Sequence, residues 1–251
     1  MNRRMAICVM ALWLQSGAVA AETLDARLQW LQRVALGTPV SGVIVEVAAV
    51  PGQRVAEGGL LLRLDVRPLQ ARISGLEAER IAKLENRDEA RRERDRSREL
   101  YARTLLADHD LELAKIALAS AEAALKTTEA RLTQVQWELE HSQIRAPFEA
   151  WVVQRNAEPG QTVISNLQAE PLVVVARAGV MLARATVDAG RVASLKSGLA
   201  VSVSVAGRSY RGRLQHIALE PEADGRYAVD VRFDTGKQLL RAGLPARIEL
   251  P

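Results

Sequence analysis

The chain has 251 residues, of which 48% are hydrophobic and 25% are charged, as in ordinary globular proteins. Its 34 basic and 30 acidic residues leave a formal net charge of +4, which is too balanced to indicate a nucleic-acid-binding protein. A single cysteine, Cys8, excludes a disulfide framework and a cysteine-rich metal site. The three histidines show no ligand spacing and no catalytic motif is present, so we expect neither an enzyme nor a bound metal or cofactor.

The first twenty residues have the pattern of a secretory signal peptide. Arg3 and Arg4 precede an apolar run over residues 5–14, and residues 18–20 (Ala-Val-Ala) form a small-x-small cleavage site. The apolar run is shorter than the roughly 20 residues that a membrane-spanning helix needs. We therefore expect cleavage after Ala20 and export of the mature chain to an oxidising compartment. Retention of the segment as an uncleaved anchor is the alternative.

Two segments repeat the same order of a short β run, a turn and a second apolar run. Pro51-Gly52 in the first segment and Pro159-Gly160 in the second stand at the same distance from the strand before them. Proline presets φ and glycine accepts positive φ, so each dipeptide predicts a turn between strands. Each half alone is too small to bury its apolar face, and we expect the two to pack together. The predicted module comprises residues 36–66 and 143–176.

The segment between these halves, residues 67–142, has a helical pattern throughout. Asp65 can cap the first helix, and residues 104–110 interrupt the pattern where two antiparallel helices would turn. Each helix would be about 50 Å long. In residues 77–99, 16 of 23 side chains are charged, which predicts a solvated helix face. The second helix carries a heptad seam of leucines: Leu111, Leu118, Leu125, Leu132 and Leu139.

From Gly179 onward the pattern is again that of short strands separated by polar or glycine-containing turns. Strands are predicted at residues 180–187, 200–205, 210–217, 227–233 and 246–250, with one short helix within residues 188–195. Residues 28–36 offer a sixth strand. Five or six short antiparallel strands suggest a small barrel. We expect it to be formed by residues 22–35 and 177–251.

This order of elements resembles the periplasmic adaptor subunits of tripartite efflux pumps, also called membrane fusion proteins, of the HlyD and RND type. The likeness covers nearly all of the predicted mature chain. It rests on residues 41–44 (SGVI), 144–147 (IRAP) and 240–244 (LRAGL) around a hairpin of this length. The implied fold is mixed α and β, elongated and multidomain. It has a split lipoyl-like β module, a long antiparallel α-helical coiled-coil hairpin and a small antiparallel β-barrel.

The resemblance implies a non-catalytic adaptor between an inner-membrane efflux transporter, with the RND type favoured, and an outer-membrane channel. Copies of the chain would form a homo-oligomeric ring. In the family, the hairpin tip docks on the channel through an Arg, a Leu and a Ser. That pattern falls on Arg96, Leu100 and Ala107, where alanine removes one polar contact. The chain ends at Pro251, directly after the last predicted strand, so the family's membrane-proximal domain is expected to be absent.

Two other functions remain open at this point. A coiled-coil scaffold outside the cytoplasm, without a transport role, would share every feature except the resemblance of the tip and the barrel. A biotin or lipoyl carrier would need a modifiable lysine where the two halves join, and residues 64–68 (LDVRP) contain none.

Overall fold

The computed structural model describes residues 22–165 and 170–250; the predicted signal peptide lies outside the described residues. The chain divides into two compact units. One, the barrel unit, comprises the described residues up to Leu31 and from Gly179 onward, and the other comprises Gln32–Ala178. None of the described helices is both long enough and apolar enough to cross a membrane.

The described residues form short strands, two long helices and one short helix. In chain order these elements are β1 (Glu22–Trp30), β2 (Arg33–Leu36), β3 (Gly42–Val47), β4 (Arg54–Val55), β5 (Leu60–Leu64), α1 (Arg67–Ala102), α2 (Asp108–His141), β6 (Gln143–Arg145), β7 (Ala150–Arg155), β8 (Thr162–Val163), β9 (Val173–Arg177), β10 (Val180–Val187), α3 (Ala189–Val192), β11 (Ala200–Val205), β12 (Arg208–Ile217), β13 (Tyr227–Asp234) and β14 (Pro245–Leu250).

The barrel unit is a closed barrel in which the strands follow the order β1-β10-β13-β12-β11-β14. Every second residue of β10 and β14 is buried, as expected for strands with one face on a core. The core is aliphatic around Phe233, which is 1% exposed. Its strands confirm the small antiparallel barrel that the sequence predicts.

One strand predicted over residues 28–36 is instead two strands in different units. β1 ends at Trp30 and closes the barrel against β10 and β14, whereas β2 pairs with β9 in the other unit. The apolar alternation of Leu24, Ala26 and Leu28 breaks at Leu31-Gln32. The chain leaves one core and enters the other at that break, so a single strand cannot continue through it.

Gly212 in β12 leaves no room for a side chain. A Cβ atom there would lie 2.7 Å from Val231 Cγ1 and 3.0 Å from Val203 Cγ2, both on buried β-branched residues. We expect Gly212→Ala to lower the free energy of unfolding of the barrel by about 2 kcal/mol, because overpacking forces these stiff side chains apart. Urea-dependent hydrogen exchange of β12 and β13 measures the effect. Gly190→Ala, where a Cβ meets nothing within 4 Å, is the matched control. Equal stability of the two variants would contradict the prediction.

The second unit contains two four-stranded sheets, ordered β2-β9-β7-β4 and β6-β5-β3-β8. Each sheet combines strands from both sequence repeats, since β4 pairs with β7 and β8 pairs with β3. The turns cross-link the halves reciprocally. Gly52 N donates to Val152 O at 2.8 Å, and Gly160 N donates to Ile44 O at 2.8 Å. These bonds occupy equivalent positions of the two repeats, so the halves complete one another's sheets.

The Pro-Gly turns depend on their glycines for backbone conformation. Gly52 has φ +84° and Gly160 has φ +89°, a region that residues with a Cβ rarely adopt. The shared core beneath them includes Ile44 and Val152, which are 1% and 2% exposed. Leu69 of α1 and Val135 of α2 join the same core. The base of the helical hairpin is therefore anchored in the sheets from which it emerges.

The two helices of the hairpin contain 36 and 34 residues. The connection is shorter than the predicted residues 104–110, because α2 already begins at Asp108. Asp108 and Asp110 lie in its first turn, where carboxylates interact favourably with the helix dipole. Of the predicted seam, Leu111, Leu118 and Leu125 are 6–8% exposed. Leu132 and Leu139 are partly buried.

The charged run of α1 is more than a solvated face, which corrects the prediction for residues 77–99. The seven-residue spacing that starts at Ile73 passes through Arg80 and continues onto Arg87 and Arg94, whose side chains are only 23% and 30% exposed. Ser97, in the last heptad, is 7% exposed. The distal seam therefore places cationic and small side chains of α1 opposite the leucines of α2.

Asp65 stands one residue before the N-cap of α1, which is Val66. Its carboxylate nevertheless accepts a hydrogen bond from the backbone N–H of Arg67 at 3.0 Å and from the Arg67 guanidinium. The side-chain hydrogen bond from Arg67, followed by the backbone bond, lowers the pKa of Asp65 to about 2. Asp65 thus satisfies a backbone N–H of the first helical turn, as predicted, although Val66 and not Asp65 is the N-cap residue.

The Asp65 carboxyl is expected to titrate with a midpoint near pH 2 in the folded protein. Because its pKa is lowered on folding, the contact stabilises the folded state above about pH 4 and is lost as the pH falls towards 2. Carboxyl carbon chemical shifts measured by NMR over this range report the midpoint. Arg67→Ala should return it towards about 4, and an unchanged midpoint in that variant would refute the assigned cause.

Candidate functional site at the hairpin tip

The connection between α1 and α2 is a Schellman motif at the end of α1. Leu105 N donates to Leu100 O at 2.9 Å, and Thr104 N donates to Tyr101 O at 2.9 Å. Thr104 occupies the left-handed position of the motif with φ +60°. Glycine usually stands there, because a β-branched residue is strained at positive φ. The tip thus combines an ordered backbone with local strain.

The three residues of the predicted tip pattern lie at or near this connection. Arg96 is on the last turns of α1, with 69% of its side chain exposed and an ion pair to Glu93 at 3.1 Å. Leu100 is half-buried and its carbonyl accepts the Schellman hydrogen bond. Ala107 is exposed, and it is the N-cap of α2 without a side-chain hydrogen bond. Arg96 and Ala107 are open to a partner, whereas Leu100 belongs partly to the seam.

Leu105 was missed by the sequence pattern. Its side chain is 70% exposed at the apex, and Tyr101 on the last turn of α1 is 44% exposed. The residue at the position of Leu105 in a Schellman motif often packs against the end of the helix, but the side chain of Leu105 faces solvent. The sequence did contain a signal for this exposure, since Leu105 lies in the five-residue connection between two long helices. Leu105 adds apolar surface to a tip that was expected to bind mainly through Arg96 and Leu100.

Glycine at position 104 is expected to stabilise the tip by about 1 kcal/mol. Thr104→Gly removes the cost of a left-handed β-branched residue while keeping the two Schellman hydrogen bonds. Slower amide hydrogen exchange at Leu105, whose N–H closes the motif, measures the gain. Thr127→Gly, at an exposed position inside α2, should instead destabilise that helix and make amide exchange around position 127 faster. Faster exchange at Leu105 in Thr104→Gly would show that the threonine is not strained.

An ion pair on the barrel wall joins Arg184 and Asp230. Arg184 of β10 and Asp230 of β13 lie directly opposite and share two hydrogen bonds, of 2.7 and 2.8 Å. The Asp230 side chain is 8% exposed. The hydrogen bond to Asp230 raises the pKa of Arg184. Across the described residues, no cluster of three or more His, Cys, Asp or Glu could hold a metal ion.

Comparison with known proteins agrees with this architecture. The family model described as "RND MFP, barrel-sandwich hybrid domain" matches residues 32–176. The macrolide export protein MacA of Yersinia pestis is 28% identical over 94% of this chain and 68% of its own length. The nodulation protein NolF of Rhizobium meliloti is 27% identical over 85% of this chain. The chain spans only 59% of the length of NolF.

Two solved structures share this fold at low sequence identity. The membrane fusion protein Spr0693 of Streptococcus pneumoniae R6 superposes with a TM-score of 0.71 at 16% identity, covering 92% of this chain and 99% of that one. A MacA–MexA chimeric protein, which contains the Pseudomonas aeruginosa MexA α-hairpin domain, gives a TM-score of 0.62 at 20% identity. This superposition covers 91% of this chain and 77% of the chimera. At these identities the likeness shows the fold.

Proposed function

The chain belongs to the RND membrane fusion protein family, and we propose that it is a non-catalytic periplasmic adaptor linking an inner-membrane efflux transporter to an outer-membrane channel. The observation that carries the proposal is the family match over residues 32–176 together with the hairpin inserted into the split two-sheet unit. A membrane fusion protein of RND or macrolide-export type is the class that this combination supports. The channel and the transporter are the partners that we add.

The tip is the part of the hairpin suited to contact the channel. Arg96 and Ala107 are accessible, and Leu105 offers an apolar side chain beside them. A partner that buries Leu105 would recover its hydrophobic free energy, and an acceptor facing Arg96 would compete with Glu93. We assign channel docking to this surface. The barrel and the two-sheet unit would contact the transporter and neighbouring copies.

Function in this proposal comes from geometry. Each helix spans about 50 Å, so the hairpin can place a tip far from its base without any catalytic group. A lone hairpin cannot enclose a path, which is why we propose that several copies form a ring. A carrier role is disfavoured by the segment that joins β5 to α1, where Arg67 is ion-paired with Asp65 and no lysine is present.

The proposal is tested by affinity purification of the tagged chain from membranes that are solubilised after cross-linking in cells. We expect both an inner-membrane transporter and an outer-membrane channel in the eluate. A variant with charge at the apex, Leu105→Asp, should retain the transporter and lose the channel. Recovery of folded protein without either partner, alongside a positive control adaptor, would instead support the scaffold function.

A further inference from the structure

A groove of about 1030 Å³ crosses the outer face of the barrel over strands β11, β12 and β13. We call it the arginine groove, because Arg211, Arg213 and Arg232 line it. Ala200 and Ser202 of β11 contribute small side chains beside Arg213 and Arg211, with which they pair. Long arginine stems present methylene groups as well as charge, so such a groove suits a ligand with both apolar and anionic parts.

Two of these arginines face one another on neighbouring strands of the barrel. Arg213 and Arg232 are directly opposite in the β12–β13 register, and both are exposed. Like charges in directly opposite positions destabilise a sheet. Their outer-face neighbours across the adjacent strands, Ala200 and Leu182, are uncharged. By contrast, Arg184 on the same barrel has Asp230 directly opposite.

The carboxylates that line the groove form no ion pairs with its arginines. Asp234 and Glu249 also line it, yet among the described residues neither carboxylate forms an ion pair with Arg211, Arg213 or Arg232. Three guanidinium groups therefore stand against two carboxylates. The arginine groove, with Arg213 directly opposite Arg232, is therefore complementary to the carboxylates of a binding partner.

The loop between β12 and β13 has the complementary composition. Leu219 is 93% exposed, the highest value for a large hydrophobic side chain among the described residues. Glu220 follows it directly, and Glu222 lies two residues further on. Both are exposed. We call residues 219–224 the acidic loop. It presents one leucine followed by three carboxylates, those of Glu220, Glu222 and Asp224.

The acidic loop is held in place. Glu222 N donates to Arg226 O at 2.8 Å, and Gly225 N donates to Glu222 O at 2.9 Å. The Arg226 guanidinium donates to Thr186 O at 2.8 Å and reaches Asp188 at 3.4 Å, which fastens the loop to the end of β10. A pre-ordered loop loses little conformational entropy on binding. The exposure of Leu219 is therefore a property of an organised protrusion.

We propose that the arginine groove of one copy binds the acidic loop of a second copy of this chain, so that barrels contact one another directly. Leu219 lies along the arginine stems, and Glu220 and Glu222 neutralise the Arg213–Arg232 pair. Each copy carries both surfaces, which is the requirement for contacts between identical subunits that close on themselves. The inference deepens the proposed function and rests on it, since it names the contact between neighbouring adaptors.

A second copy fits the groove better than a lipid surface does. The arginines lie on strands of the barrel wall, and no exposed large hydrophobic side chain of the described residues accompanies them on that face. Insertion into a membrane interface would need protruding apolar and basic residues together. The protruding loop of this barrel is acidic, so it is matched to the groove and not to an anionic bilayer.

A photo-cross-linking amino acid at position 219 tests the contact directly. Unlabelled and ¹⁵N-labelled full chains carrying it are mixed, irradiated and digested. We expect adducts that join residue 219 of one isotopic form to residues 200–213 or 232–234 of the other. Adducts confined to one isotopic form, adducts to other surfaces of the second copy, or no adducts would each overturn the proposal.

Charge exchange tests the pairing of the two surfaces. Sedimentation velocity of the full chain is followed over a concentration series into the millimolar range. Arg213→Glu/Arg232→Glu should weaken self-association about tenfold or more, and adding Glu220→Arg/Glu222→Arg to the same chain should restore it. Lys196→Glu/Lys237→Glu, which makes the same charge change at exposed positions outside the groove, should leave it unchanged.

The outcomes separate this inference from the proposed function. A wild-type chain that stays monomeric throughout, or a fourfold variant that fails to recover, overturns the contact between groove and loop. Capture of a transporter and a channel can still succeed in either case. Loss of partner capture with intact self-association would instead reject the adaptor function and keep the barrel contact.

Discussion

Asp230→Ala is expected to lower the free energy of unfolding of the barrel by about 2–3 kcal/mol. The substitution removes two short hydrogen bonds to Arg184 and leaves its guanidinium with only the weaker electrostatic interaction of Glu222. The Arg184 side chain is 41% exposed, so water recovers part of the loss, and we place the effect below that of a fully buried pair. Hydrogen exchange of β10 and β13 at increasing urea measures it within this unit.

Asp25→Ala is the matched control for the loss of an ion pair on the same barrel. Asp25 contacts Arg247 at 3.7 Å, with 97% of its side chain exposed. Exposed pairs of this kind contribute about 0–1 kcal/mol. If the two alanine variants lost the same stability, the Arg184–Asp230 pair would be an ordinary surface contact and our account of the barrel wall would be wrong.

Arg87→Leu/Arg94→Leu is expected to stabilise the distal hairpin by about 1–3 kcal/mol. The Nε atom of each arginine is buried without a hydrogen bond, although it lies 2.8 Å from the carboxylate of the residue that follows. Leucine would replace a poorly satisfied guanidinium with apolar contacts to the leucines of α2. Amide exchange along α1 and α2 should become slower towards the tip.

Arg91→Leu/Arg98→Leu controls for helix propensity and charge. These two arginines have the same seven-residue spacing in α1 but occupy exposed positions. We expect little change in exchange for this pair, since exposed leucines bury no area in the seam. Equal stabilisation by both pairs would mean that removing charge, and not filling the seam, accounts for the result.

Sequence patterns predicted the elements whose apolar residues have a clear period. The predicted bounds of β10 and β11 match those observed, because alternate residues of each strand face one aliphatic core. The repeat also predicted the two-sheet unit, in which Gly52 and Gly160 form equivalent turns. Where an element has one buried face throughout, local sequence carries enough information.

The errors lie where a pattern changes phase or where position depends on a partner element. Residues 28–36 contain a change of phase at Leu31-Gln32, which divides one predicted strand between two units. The seam role of Arg87 and Arg94 was hidden because charge indicates a solvated face, while their position follows the seven-residue spacing that starts at Ile73. Composition outweighed periodicity in that prediction.

The surfaces were harder to predict than the core. The opposition of Arg213 and Arg232 depends on the register of β12 and β13, which includes an irregularity between Leu214 and His216. Register cannot be read from residue types when both strands are polar on the outer face. The exposure of Leu105 likewise follows from the Schellman geometry at Thr104, a position where glycine would have been the usual signal.

A photo-cross-linking amino acid at Ala107 in living cells tests most directly whether the hairpin tip contacts an outer-membrane channel. The same group at Ala123, exposed in the middle of α2, is the matched control. Our account predicts that Ala107, and not Ala123, yields an adduct containing an outer-membrane channel protein. An adaptor that is folded and bound to its transporter but forms no channel adduct from Ala107 would contradict it.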